Sequence, residues 1–219
     1  MTDPFLLDPD SPVIPPFLDA LETLFAAMDT AYEKVAEACG FHCDGCGDSC
    51  CQTRFYHHTL LEYLYLRKGW QALPEPDKGD ILRRAVQVDN ARTDSAGRGH
   101  PSMCPVNLSG RCRLYRFRPM ICRLHGIAHE LTGAEGGTRK GPGCDLFTRV
   151  VGNNPDIRLD RTPFYREMAL LEKELRRQTG FNDRIRVTIA RMILYAADKK
   201  PGKTMPLAEQ NGSGPGGRI

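Results

Sequence analysis

The chain has 219 residues, 41% apolar and 26% charged, with a formal net charge of +3. This length suits one ordinary domain with a core of its own. No apolar run reaches the roughly 18 residues of a membrane span, and the first 18 residues carry three Asp and no Lys or Arg, which is unlike a secretory signal. The expectation is a cytoplasmic protein with no membrane partner.

In chain order, residues 1–16 are rich in Asp and Pro and read as an extended arm. A helix is expected to start near Pro15 or Pro16, which suit a first turn. Its stripe of Phe17, Leu21, Leu24, Met28, Tyr32, Val35 and Cys39 ends at Gly40, a C-cap. A compact knot follows from Cys43 to Cys51. A second helix is expected over Thr53–Lys68, with Phe55, Leu60, Leu61 and Leu64 inward and Gly69 closing it. A third is expected over Asp77–Ala91, and Thr93–Ser102 reads as a loop. The stretch from Cys104 to Cys144 is irregular and short of apolar anchors, with one helical turn after Pro119. Two more helices carry the stripes Phe164, Met168, Leu171, Leu175 and Ile185, Ile189, Met192, Ala196. Residues 199–219 lack periodicity and read as a disordered tail. The fold class is therefore mostly α: a single irregular helical domain over residues 17–198, organised around a cysteine metal or iron–sulfur site.

Charge is divided unevenly. Residues 1–52 hold ten acids and one base, Lys34, whereas the remainder holds 29 bases and 17 acids. Such asymmetry marks either an anion-binding surface or an acidic segment laid against a basic body.

Nine cysteines are the anomaly. In a reducing compartment, clustered cysteines point to metal first and redox chemistry second. Cys43-Asp-Gly-Cys46 forms a knuckle of two thiols three positions apart, followed by Cys50 and Cys51. Adjacent cysteines point in different directions, so both seldom serve one mononuclear ion. The second group is Cys104, Cys112 and Cys122, with Cys144 more distant. Four ligands suit one zinc ion or one cubane iron–sulfur cluster, so eight cysteines allow two sites, one site with spare thiols, or a multinuclear centre. Five arginines, Arg111, Arg113, Arg116, Arg118 and Arg123, lie between Cys104 and His125 with no acid among them. They would offset the negative charge of a thiolate centre, bind an anionic cofactor, or form a solvated basic loop. Arg118 and Arg123 are the candidates for cofactor binding.

The string C-x2-C-G-x2-C-C, then C-P, then G-R-C-x-L-Y-x-x-R-P-x-x-C-R and a last cysteine, resembles the cysteine-cluster proteins of YkgJ type, a mostly bacterial family taken to chelate zinc or iron. The resemblance covers Cys43 to Cys144, about half the chain, and implies Cys43, Cys46, Cys50, Cys51, Cys104, Cys112, Cys122 and Cys144 as metal ligands. Three residues separate Cys46 from Cys50 where many members have two. Flagellin lysine methylases are similar across the same region. That resemblance implies an iron–sulfur centre and S-adenosylmethionine, although those chains are markedly longer.

Cys39-x3-Cys43-x2-Cys46 also has the spacing of the radical S-adenosylmethionine triplet. Here an amphipathic helix precedes it and Cys39 continues the apolar stripe, so the structural context is missing. His57 and His58, expected on a helix two turns past the knot, suit a surface or core role better than ligation. His125 and His129 are expected on one helical face, and H-E-x-x-H is absent because only Glu130 follows His129. Gly202-Lys-Thr lacks the glycine of a phosphate loop, since Ala197 stands there. The glycines from Gly133 to Gly143 are expected to form a flexible loop. Glu172 and Arg176 read as an ordinary solvated pair, and Trp70 as core.

The functional expectation is a metal-binding cysteine-cluster protein. An iron–sulfur cluster is favoured over zinc, in a redox or metal-handling role with a protein or small-molecule partner. Two alternatives stand beside it: an S-adenosylmethionine-dependent protein-modifying enzyme and a zinc-stabilised binding module. Only Tyr115 and Phe117 interleave with the arginines, which argues against nucleic acid.

Overall fold

The computed structural model describes residues 11–43, 50–91, 102–152 and 157–198. The expected tail, most of the expected arm and of the loop at 93–102, and Cys46 lie outside them. The protein is mostly helical. Among the described residues no helix is long and apolar enough to cross a membrane.

Helix α1 spans Ile14–Ala38 with proline in its first turn, as the sequence predicts, and Gly40 leaves it at φ +65. Helix α2 spans Leu60–Ala72, so its expected start is seven residues too early. Thr59 is the N-cap: its Oγ1 accepts from Glu62 N at 3.2 Å and donates to Glu62 Oε2 at 2.6 Å. The residues before it run extended instead, with His57 and Val187 exchanging backbone bonds of 2.7 and 3.0 Å. His57 and His58 are thus not helical. Gly69 does not close α2 either. It lies inside the helix because the Phe117 ring is seated where a Cβ would stand.

Helix α3 spans Glu75–Asn90, helix α6 Thr162–Thr179 and helix α7 Ile189–Ala197. Ile185 falls before α7, in the extended stretch that pairs with His57, and the Thr188 hydroxyl caps the helix by accepting from Arg191 N. Helices α2, α4 (Met120–Leu124) and α6 pack on α1, and α7 packs on α2 and α3. Trp70 is core, as expected.

The stretch from Cys104 to Cys144 is more ordered than its composition suggests. Strands β1 (Asn107–Leu108) and β2 (Arg111–Cys112) form a hairpin whose two turn residues, Ser109 and Gly110, both have positive φ. Strands β3 (His129–Thr132) and β4 (Thr138–Gly141) form a second hairpin, so the expected flexible loop is largely strand and turn. Strand β5 (Leu159–Asp160) adds parallel to β3. His125 follows α4 and His129 opens β3, so they share no helical face. Val106, Leu114, Met120, Leu124, Ile127 and Ala128 are buried in the common core, correcting the view that this stretch has few apolar anchors. Short helix α5 (Asp145–Val151) follows Cys144.

Candidate metal centre

The cysteines are placed by turns at the ends of these elements. Beyond α1, Phe41 N–H bonds back to Ala36 O, and the Phe41 ring is buried edge-on to Phe147, which carries the chain to Cys43. Cys50 and Cys51 lie in a 3-10 turn closed by Thr53 N–H on Cys50 O at 3.1 Å. The two cysteine groups meet where Cys104 N–H donates to Cys51 O at 2.7 Å. Asn107 N–H then donates to Cys104 O, and the β1–β2 hairpin pairs Asn107 with Cys112, folding Cys112 back beside Cys104. Cys122 lies in the first turn of α4. Cys144 precedes α5, where its Sγ accepts from Phe147 N at 3.4 Å and its own N–H donates to Gly126 O at 2.8 Å.

The result is a cavity of about 990 Å³ lined by Cys43, Cys50, Cys51, Cys104, Cys112, Cys122 and Cys144. Those are all the candidate ligands among the described residues. Among the described residues no three His, Cys, Asp or Glu side chains are gathered as a site for a single metal ion, and no disulfide joins the cysteines. Cys39 is absent from the lining: its Sγ donates to Val35 O at 3.1 Å and packs on the core, in keeping with a structural role.

Burial raises the pKa of Cys112 and Cys122 and pushes that of Cys104 up to about 12, and the neighbouring thiols add to each shift. The Cys50 pKa is raised chiefly by its hydrogen bond with Cys51, then by burial. A cation in the cavity would reverse this balance, because thiolates that repel one another become ligands of a common positive charge. The donor set is chemically suited to a thiophilic centre, and any metal bound there displaces thiol protons.

Most of the arginines are held by acids. Arg113 pairs with Asp77, Arg116 with Glu22, and both Arg118 and Arg123 with Asp29. Two acids of the N-terminal segment, Glu22 and Asp29 on α1, therefore lie against the basic body. Arg123 is buried, donates to the carbonyls of Arg116 and Arg118, and lies over the Phe25 ring. Among the described residues the buried Arg118 Nε–H has no hydrogen-bond partner. Arg118 lines the cavity, as do Arg111 and Arg123.

Three further lining residues did not stand out as site residues in the sequence. Tyr32 belongs to the apolar stripe of α1 and reads as core. Phe55 packs edge-on to His125 at 5.4 Å, and Gly126 has φ +111. Nothing in their spacing separates them from ordinary core and turn residues.

The chain matches no family model, no curated protein and no solved structure.

Proposed function

We propose that this is a metal-binding cysteine-cluster protein whose cavity holds an iron–sulfur centre with a redox or metal-handling role. The observation that supports the reading is that seven cysteines spread from residue 43 to residue 144 line one cavity. An all-sulfur donor set suits iron–sulfur clusters and tetrathiolate zinc, and the cysteine-proline neighbour Cys104-Pro105 favours the former. When bound, such a centre supplies electron transfer or a store of metal. The chain itself would supply the thiols, an enclosing wall of Leu66, Val106 and Leu114, and the positive charge of Arg118 and Arg123 to offset the thiolates.

The test is anaerobic purification followed by metal and acid-labile sulfide analysis and an absorption spectrum on one sample. Iron with sulfide and a broad visible band supports the reading. Stoichiometric zinc in a colourless sample replaces it with a zinc-stabilised module, and a folded protein with no metal overturns it. Cys104→Ser and Cys122→Ser should lose metal, while Cys39→Ser should keep the full complement.

A further inference from the structure

A cavity of about 850 Å³ opens between α2, α4 and α6, apart from the thiols. One stripe of α6 lines it, apolar first, with Tyr165, Met168 and Ala169, and then charged, with Glu172, Lys173, Arg176 and Arg177. These residues recur three and four positions apart, so they share a single helical face. Tyr56, Met120 and Ile121 add apolar wall. The acids of the cavity already have donors. Glu172 accepts from Leu60 N, Leu61 N and Arg176, and Glu62 accepts from Met120 N at 2.9 Å and from Thr59 Oγ1 at 2.6 Å. Lys173, by contrast, is in no ion pair among the described residues, and Arg177 has only its exposed pair with Glu174, which contributes little. Arg186 lies over the Tyr56 ring at 3.8 Å and brings a further positive charge to that wall. A cationic guest would meet carboxylates whose oxygens are all engaged, whereas an anionic guest meets Lys173 one turn from Arg177.

We propose that this cavity binds a small organic anion, its apolar body against Met120, Tyr165 and Met168 and its negative head at Lys173. The change from apolar to cationic along α6 fixes which way round the guest lies. The volume falls in the range of small-molecule sites, roughly 300–1,000 Å³, which join mostly apolar walls to a few placed polar groups. Helix α4 stands between this cavity and the thiols, with Met120 and Ile121 on one side and Pro119 and Cys122 on the other. Binding here needs no metal in the thiol cavity, so the two readings can fail separately.

Decanoate, a carboxylate on an apolar chain, is the probe, and decyltrimethylammonium carries a similar chain with the opposite charge. Nuclear magnetic resonance of the full chain with methyl-labelled methionine reads the site directly, because Met120 and Met168 line this cavity and Met103 lines the thiol cavity. Decanoate should shift Met120 and Met168, leave Met103 in place, and bind about 10-fold more tightly than the cation. Lys173→Glu, at an exposed position, should weaken decanoate binding by about 10-fold. Lys34→Glu makes the same change of charge on α1, outside the lining, and should match the wild type. Decanoate that shifts no methionine, or Met103 alone, overturns the proposal. Equal affinity for the two probes, or for the two lysine variants, overturns it as well.

Discussion

Gly69 and His57 show how much one residue can depend on a distant neighbour. Glycine inside a helix costs about 1 kcal/mol against alanine, so Gly69→Ala would ordinarily stabilise α2. Here the Phe117 ring occupies the space of the new methyl, and overpacking dominates. A net loss of about 1–2 kcal/mol is expected from urea unfolding, with Gly79→Ala, which meets no atom within 4 Å, as a comparison that does not lose stability. His57 is 2% exposed and its pKa is lowered from 6.5 to about 4, by burial first and by His58 second. The unfolded chain therefore binds the proton more readily than the folded one. The contribution of His57 is fully present above about pH 6.5 and is lost as pH falls towards 4, by at most about 3 kcal/mol. Urea midpoints across that window should fall for the wild type and flatten in His57→Phe. Neither residue announces this in sequence, since a glycine near a helix end and a histidine pair each have ordinary local explanations.

At the level of elements, helix α2 owes its start to a residue more than a hundred positions away. Glu172 Oε1 accepts from Leu60 N at 2.9 Å, Oε2 accepts from Leu61 N at 3.0 Å, and Arg176 completes the carboxylate's partners. The i,i+4 pair legible in the sequence does form, but it is a buried cap and not a solvated face. The adjacent Glu62 is buried as well and accepts from Met120 N at 2.9 Å, which ties α2 to α4 beside Cys122. Burial raises the Glu62 pKa, and the neighbouring Glu172 adds to it. Glu172→Ala removes two helix-capping bonds and leaves Arg176 without its carboxylate, a loss of about 3 kcal/mol in denaturant unfolding. Glu174→Ala, in the exposed pair with Arg177 on the same helix, should stay within about 0.5 kcal/mol. Helices were legible wherever an apolar stripe was long. Their ends were legible only where the signal was local, as at Pro15 and Gly40.

Across the whole molecule, the acidic face of α1 holds the arginine-rich segment that carries Cys112 and Cys122. Asp29 is the hinge of this arrangement, meeting both Arg118 and the buried Arg123. Asp29→Ala should cost roughly 2 kcal/mol, less than a fully buried pair because the carboxylate is a third exposed, and should weaken retention of the proposed centre. Unfolding curves and metal content measured on the same sample check both. Removal of the proposed centre by a chelator is expected to act locally. Amide hydrogen exchange should quicken around Cys50–Thr53 and the β1–β2 hairpin, while α1 and α2 stay protected by a core in which Leu21, Leu60 and Leu61 are fully enclosed. Uniform protection after complete demetallation would argue against a centre in the cavity.

The sequence by itself determined the helical class, the order of the long helices and the identity of the thiols, because apolar periodicity and cysteine spacing are local properties of the chain. It left open whether the arginines faced solvent, an anion or the acidic segment, and it gave no sign that Tyr32 stands among the cysteines. Only the tertiary structure decided these points. The meeting of Cys51 with Cys104, of Glu172 with Leu60 and of Asp29 with Arg123 joins residues from 53 to 112 positions apart. Such contacts are selected by the joint burial of whole elements, and no local pattern encodes them.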